Sequence, residues 1–343
     1  MPNQLRFPAE WEPQSAVLLA WPHEGTDWAE RLAGVERTYV ALVAAITRFQ
    51  SALVCVADAG LRERARGLLA DAGAAMDRVR FFEVDYDDTW LRDSGPISLR
   101  EGGGFRLLDF RFTAWGGKFE AGLDDQIVAK LHASGLLAGA AHQRIDFALE
   151  GGGIETDGAG TLLSTWRCLH ERHPGLSREQ VTATLESALV QSRTLWLDHG
   201  YLEGDDTDAH IDTLARFAAP DAIVFQACDD PADGHYAELQ AMAAEIAALR
   251  TADGQPYRLF PLPWAAPVLD EGRRLAASYA NFLIVNGAVL MPAYGDARDD
   301  AAAAVLAQAF PGREIVQIDC RPLIWQNGSL HCVTMQLPEG LLA

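Results

Sequence analysis

The residues Glu203-Gly204-Asp205-Asp206-Thr207-Asp208-Ala209-His210-Ile211-Asp212-Thr213-Leu214-Ala215-Arg216-Phe217 crowd four aspartates and one histidine into positions 205–212. The stretch then passes directly into Ile211, Leu214 and Phe217, the spacing of a structured element rather than of a solvated loop. Read as extended, segment 208–212 turns Asp208, His210 and Asp212 to one face through period-two alternation. An imidazole beside carboxylates is held protonated near neutrality and can give a proton to a leaving group. A solvated acidic turn with a hydrogen-bonded histidine would carry the same residues, so the remainder of the chain has to discriminate.

Four further clusters sit at glycine-rich or aromatic turns. Trp90-Leu91-Arg92-Asp93-Ser94-Gly95-Pro96 places a carboxylate just before a turn, where a structural Arg92–Asp93 ion pair is the plain alternative. Glu150-Gly151-Gly152-Gly153-Ile154-Glu155 ends an apolar strand in an acid and three glycines, which let backbone approach a ligand closely but also simply make turns. Ser278-Tyr279-Ala280-Asn281-Phe282 opens a long apolar run. Asn327-Gly328-Ser329-Leu330-His331-Cys332-Val333 sets a cysteine at a turn near the C-terminus, and a lone cysteine is more often an inert buried hydrophobe than a nucleophile.

Taken together and in this order, Arg-Asp-x-Gly-Pro, Glu-Gly-Gly, His-x-Asp, Asn-Phe and a C-terminal His-Cys resemble the guanidino-group-modifying enzymes, specifically the agmatine deiminases and related bacterial peptidylarginine deiminases. Phe7-Pro8-Ala9-Glu10-Trp11-Glu12-Pro13, Trp115-Gly116-Gly117-Lys118 and Phe310-Pro311 extend the resemblance nearly end to end. It implies a five-bladed α/β propeller with pseudo-fivefold symmetry. Carried over by position, it implies Cys332 as nucleophile, His210 as acid and base, Asp93 and Asp212 as guanidinium ligands, and Glu150 as the partner of His210. Trp90, Trp115 and Asn281 fall among the substrate-binding positions. Two departures stand out: Gln326-Asn327-Gly328-Ser329-Leu330-His331-Cys332 replaces the Gly-Gly-Gly-Asn-Ile-His-Cys of many members, and Ala209 stands where many have glycine. Both bear on loop shape and, through it, on substrate preference.

The implied chemistry has a physical logic. A guanidinium is planar and always protonated near neutrality, so its carbon resists attack until the group is held and polarised. Two carboxylates bind its N–H edges and align the carbon with a thiolate. Attack by Cys332, with His210 protonating the departing ammonia, makes a thiouronium that water then hydrolyses. No metal or organic cofactor enters this scheme. Asp88, Asp206 and Asp208, with Asp205 beside them, surround the proposed site with negative charge, while Lys118 and Lys130 are the chain's lysines. Such surroundings suit agmatine, which ends in an ammonium, over arginine, which ends in a carboxylate. Rival readings are a peptidylarginine deiminase, a dimethylarginine hydrolase or an amidinotransferase of the same fold, a non-enzymatic propeller resembling the ribosome anti-association factor, and a metallohydrolase using His199, His210 and Asp212.

The elements that must position these residues alternate between strands and helices. Apolar runs 15–21 and 53–57 flank a helix carrying Leu32, Val35, Tyr39, Leu42, Val43, Ile46 and Phe49, with Asp27 and Glu30 spaced like a cap and its partner. Helices are expected over 61–70, 125–132, 177–190, 236–249 and 300–310, with Ser177 and Gln180 forming a capping box. Strands are expected over 79–84, near Ile97, and over 105–112, 145–149, 161–166, 194–197, 223–227, 257–262, 281–290, 314–318 and 331–336. Without a low-complexity linker, these units predict one α/β domain over residues 1–343.

Composition sets the outer bounds. At 49% hydrophobic and 9% aromatic residues, 343 positions make a folded chain with ample core. A formal charge of −20 argues against nucleic-acid binding and is compatible with attracting a small cation. Residues 1–14 hold no signal-peptide run, and no segment has the apolar length of a membrane span, so a cytoplasmic protein is expected. Five scattered cysteines (Cys55, Cys168, Cys228, Cys320 and Cys332) with no C-x-x-C pair imply neither a disulfide framework nor a zinc cage. A homodimer remains open.

Overall fold

The computed structural model describes residues 5–343; residues 1–4, part of the N-terminal stretch assessed above for a signal peptide, lie outside the described residues. It is a mixed α/β fold in which one unit recurs. Strands Ile97–Glu101 and Gly104–Arg111 form an antiparallel pair, and Ala141–Ala148 then joins parallel to the second strand. The same antiparallel-then-parallel order recurs in Ile154–Thr156, Thr161–Thr165 and Arg193–Leu197, and in Ala215–Ala219, Ala222–Gln226 and Arg258–Leu262. Leu283–Val285, Ala288–Ala293 and Glu314–Asp319 repeat it once more. In the remaining large sheet the C-terminal strand Met335–Pro338 supplies the antiparallel neighbour of Gln14–Ala20, which runs parallel to Ser51–Val56, itself parallel to Val79–Glu83. The two ends of the chain are thereby tied into one sheet.

Each parallel step needs a crossover, and helices supply it. Leu32–Thr47, Ile127–Ala133, Arg178–Leu189, Tyr236–Ala248 and Asp299–Ala309 each link the two parallel strands of a unit. Their apolar residues recur at helical spacing: Val35, Tyr39, Leu42, Val43 and Ile46 are buried on the first, and Leu239, Met242 and Ile246 on the fourth. The expected capping box is present, with the Ser177 hydroxyl accepting from the Gln180 N–H and the Gln180 side chain accepting from the Ser177 N–H. Val190 closes that helix in the left-handed region at φ 57°.

Four local expectations are corrected. Asp27 and Glu30 cap nothing, because a short turn over Ala29–Arg31 intervenes before the helix. Segment 281–290 is not one strand but a hairpin of Leu283–Val285 and Ala288–Ala293 turning at Asn286-Gly287, with Gly287 at φ 80°. That dipeptide is itself a strong hairpin signal. In 331–336 only the end is extended: the strand is Met335–Pro338, and the residues ahead of it turn. Segment 208–212 is not extended either, since Asp208 and Ala209 lie at φ 66° and 71° and His210 begins the tight turn Ile211–Thr213. Asp208, His210 and Asp212 therefore do not share a strand face.

Among the described residues no helix is long and apolar enough to cross a membrane. Because the Ser177 cap is exposed and makes a reciprocal pair of bonds, Ser177→Ala is expected to lower unfolding free energy by about 1 kcal/mol in denaturant titration while leaving turnover unchanged.

Candidate active site

Five loops, each leading into the first strand of an antiparallel pair, meet at one place. Asp93 lies in the helical turn Leu91–Ser94 ahead of Ile97–Glu101, and Glu150 lies ahead of Ile154–Thr156, separated from it by the turn Gly151–Gly153. Asp212 sits in the turn Ile211–Thr213 ahead of Ala215–Ala219, Asn281 just before Leu283–Val285, and Cys332 just before Met335–Pro338. Backbone and side-chain hydrogen bonds link the loops. Asn281 Oδ1 accepts from the N–H of His331 at 2.9 Å, and Asn281 Nδ2 lies 3.3 Å from Cys332 Sγ. Asp212 Oδ2 is 3.9 Å from the same sulfur. Asp93 accepts from the Gly152 N–H at 2.9 Å and from Trp115 Nε1 at 2.9 Å.

The glycine run is a steric necessity. A Cβ on Gly152 would lie 2.7 Å from both Asp93 Oδ1 and His210 Nδ1, and one on Gly151 would lie 2.2 Å from the Arg92 carbonyl. The backbone passes that close because it supplies a donor to Asp93. Trp115 reaches Asp93 only from an unusual backbone, with Ala114 at φ 46° and Trp115 at φ 57° before two left-handed glycines. Two consecutive non-glycine residues in that region cost about 1–2 kcal/mol each, strain of the kind that collects at functional sites.

His210 is buried, with its ring nitrogens 3.7 Å from Asp93 and 3.5 Å from Glu150. Burial opposes its charge, but the Asp93 carboxylate, the Cys168 thiol and Glu150 outweigh that and raise its pKa well above the ordinary value. Asp93 is pushed up to about 6 by burial, partly relieved by His210, with Asp212 and Glu150 adding to the rise. Glu150 is lowered despite burial because His210 and Arg172 face it, the latter donating Nε at 2.8 Å. The Cys332 thiol is raised well above its ordinary value by burial, with Asp212 and Asp93 adding to it. The site as it stands therefore holds a neutral thiol and a charged imidazole, and an arriving cation would favour the thiolate.

A cavity of about 360 Å³ opens onto Cys332 and Asp93 and is walled by Trp90, Trp115, Asp88 and Asp206. Asp88 accepts from Trp90 Nε1 at 3.1 Å, and burial pushes it and neighbouring Asp124 each up to about 7. Asp206 faces the cavity while accepting from Asn327 Nδ2 at 2.8 Å. Asp208 does not join that wall: it pairs with Lys118 Nζ and Arg172 Nη1, each at 2.7 Å, which makes it a clamp between loops. His210, Asp212, Glu150 and Asn281 lie behind the cavity surface, buried around the sulfur and Asp93. His199 is exposed and bonded to Glu245 at 2.6 Å, so the trio His199, His210 and Asp212 is not assembled.

Several contributors escaped sequence reasoning. Arg172 bridges Glu150, Asp208 and the Thr207 carbonyl, yet it sits on the helix Trp166–Arg172, far from any motif. Cys168, one helical turn earlier, places its sulfur beside His210, and Glu150, Cys168 and His210 hold potential donor atoms within 4.8 Å of one another. The spacing of Cys168 and Arg172, four residues apart on one helix face, was a usable signal for joint placement. Glu10 and His331, both inside quoted motifs, are drawn into the buried charge network behind Asp212.

The Porphyromonas-type peptidyl-arginine deiminase family model matches residues 6–338. The agmatine deiminase of Stutzerimonas stutzeri is 36% identical over 361 aligned residues, covering 97% of this chain and 95% of that protein. The C. jejuni agmatine deiminase, solved as a cysteine-to-serine variant with substrate bound, superposes with a TM-score of 0.91 at 35% identity over 99% of this chain and 98% of that one. A Porphyromonas gingivalis structure provisionally named an arginine deiminase superposes at 0.93 with 49% identity, covering 99% and 100%. With the match running through every loop that builds the cavity, the chain belongs to the Porphyromonas-type peptidyl-arginine deiminase family.

Proposed function

We propose that the chain is an agmatine deiminase, hydrolysing agmatine to N-carbamoylputrescine and ammonia through a covalent intermediate on Cys332. The observation that carries this reading is the cavity at Cys332, whose wall includes Asp27, Asp87, Asp88, Asp93, Asp124 and Asp206 and, among the described residues, no lysine or arginine. Agmatine carries a positive charge at each end, and such a wall suits both. The relatives named agmatine deiminases support the same substrate.

Asp93 and Asp212 take the guanidinium, with Trp90 and Trp115 flanking the approach. The bound cation offsets the field of these carboxylates at Cys332, and the thiol ionises. Cys332 Sγ then attacks the guanidinium carbon, forming a C–S bond. Collapse of the tetrahedral adduct breaks a C–N bond, and His210 protonates the leaving ammonia. A water, deprotonated by His210, attacks the resulting thiouronium; the C–S bond breaks, and N-carbamoylputrescine leaves with the Cys332 thiol restored. Glu150, held by Arg172, keeps His210 in place and charged. Asn281 steadies the sulfur. In the same reading residues 1–343 are one domain, and the five repeated sheets are blades around a pseudo-fivefold axis, each lending the loop ahead of its first strand to the centre. The repeated strand order and the equivalent placement of Asp93, Glu150, Asp212, Asn281 and Cys332 support it.

Cys332→Ala is expected to abolish turnover, by at least a thousandfold, while agmatine still binds, measured by ammonia release and calorimetry. Arginine or a peptidyl arginine turned over with kcat/KM equal to or above that for agmatine would replace the substrate.

The pH profile follows from the two shifted groups. Asp93 is ionised above its pKa of about 6 and neutral below it, so kcat/KM should fall as pH drops through 6. His210, raised well above its ordinary value, keeps its proton through neutrality, so activity should persist into the alkaline range. A decline already complete by pH 7 on the alkaline side would contradict that assignment.

The two loop aspartates should separate. Asp206→Asn is expected to raise KM for agmatine roughly tenfold with kcat within threefold, since it removes one wall charge. Asp208→Asn should instead lower thermal stability and kcat, because it releases Lys118 and Arg172.

A further inference from the structure

Behind Asp212 lies a row of charges that the deimination scheme does not use. Asp212 Oδ2 faces His331 Nδ1 at 2.7 Å, and His331 Nε2 faces Glu10 Oε2 at 2.8 Å. The same Glu10 oxygen is 2.8 Å from Arg216 Nη2 and 3.7 Å from Arg92 Nη2, and Arg216 also pairs with Glu155. All of these side chains are buried. The His331 backbone is fixed as well, its N–H donating to Asn281 Oδ1 at 2.9 Å. Asp212 Oδ2 is thus committed to His331 and is also the oxygen 3.9 Å from Cys332 Sγ, whereas Oδ1 is buried and has no hydrogen-bond partner. An unpaired buried carboxylate oxygen is costly unless a cation completes it.

We propose that His331, anchored by Glu10, is a positioning residue for deimination: it holds Asp212 so that one oxygen is occupied from behind and the other is left for the guanidinium. This rests on the guanidine reading of the cavity given above. Without His331, the Asp212 carboxylate keeps only the 3.9 Å contact of Oδ2 with Cys332 Sγ, and the clamp loses the orientation of one of its two carboxylates. His331 sits between the two carboxylates, one ring nitrogen on each, at 2.7 and 2.8 Å. Burial together with Arg216 and Arg92 lowers the pKa of His331, while Glu10 and Asp212 oppose that fall. Glu10 is lowered in spite of burial by Arg216, His331 and Arg92, which suits an anchor that stays charged. The position next to Cys332 also explains the adjacency of histidine and cysteine in the sequence: one turn delivers the nucleophile and the support of its carboxylate neighbour.

The test compares agmatine affinity, by calorimetry, in a Cys332→Ala background with and without His331→Ala, alongside steady-state kinetics of the single His331 variants. His331→Ala is expected to weaken binding roughly thirtyfold, the loss of one charge-assisted contact to the guanidinium, and to raise KM more than it lowers kcat. His331→Asn, whose amide N–H can still reach Asp212, should recover most of the affinity, which a merely structural role for the ring would not allow. Binding within threefold of the background in a folded His331→Ala protein overturns the proposal, and so does an asparagine variant no better than alanine. If the alanine variant fails to fold, Glu10→Gln decides: it keeps shape but removes the anchoring charge and should weaken binding about fivefold, with no change counting against the proposal. Agmatine failing to bind the Cys332→Ala background at all overturns the substrate reading instead. The same His331 comparison is then made with guanidinium ion, and the same thirtyfold and threefold outcomes apply.

Discussion

Everything at the centre of this molecule follows from burying carboxylates without neutralising them by protonation alone. Asp93, Glu150, Asp212 and Glu10 are all nearly inaccessible to water. An isolated buried carboxylate is so costly that it ordinarily takes up a proton. Here each is given counter-charge or a hydrogen-bond partner instead: Asp93 has His210, Trp115 and the Gly152 N–H, Glu150 has Arg172, Glu10 has Arg216, and Asp212 has His331 on one oxygen. Asp93 is left raised, at about 6, and it borders the cavity. Its charge is only partly compensated, so on the proposed reading a bound cation restores the balance that folding left unfinished.

The fold serves this end by repetition. One loop from each of the five larger sheets leads into the first strand of an antiparallel pair, and polar residues of that loop reach the centre. Five short loops on rigid strands can hold five side chains within a few tenths of an ångström more readily than one long loop could. Where the spacing becomes too tight for side chains, glycine appears, as at Gly152. Where it requires an awkward backbone, non-glycine residues accept positive φ, as at Ala114, Trp115, Asp208 and Ala209. Ala209 lies at φ 71° in the histidine loop, and Lys118 and Arg172 hold the neighbouring Asp208 in place.

How much of this was legible in the sequence depends on the range of the forces involved. Helices Leu32–Thr47, Arg178–Leu189 and Tyr236–Ala248 follow from their apolar period, and the second also from its Ser177 cap, signals that are local. Segment 208–212 does not, because Asp205 and Thr207 fold the chain back on itself through side-chain bonds to Thr207, Ala209 and His210, and these override the alternation that had read as a strand. The strand proposed over 281–290 fails because the Asn286-Gly287 turn outweighs the continuous apolar run around it. In the centre, the motif residues Asp93, Glu150, His210, Asp212, Asn281 and Cys332 come together as neighbours, but their supports do not announce themselves. Arg172 and Cys168 act on His210 and Glu150 from far away in sequence: their four-residue spacing places them together on one helix face, but nothing local says what that face meets.

The wall of the cavity carries the last step. It includes Asp88, Asp124 and Asp206, of which the first two are both raised to about 7 by burial and by neighbouring carboxylates. Groups in that condition are partly protonated at neutral pH, and on the proposed reading a substrate ammonium would displace those protons and gain their negative charge. A substrate carboxylate in the same place would have to keep the protons on and would meet like charge besides, a mismatch that typically costs about 3–5 kcal/mol. On the same reading Asp93 and Asp212 make no such distinction, because every guanidine would present the same planar cation to them. The proposed function therefore assigns discrimination among guanidines to Asp88, Asp124 and Asp206 and chemistry to the groups around Cys332, with Trp90 bonding Asp88 while it lines the same cavity as Cys332.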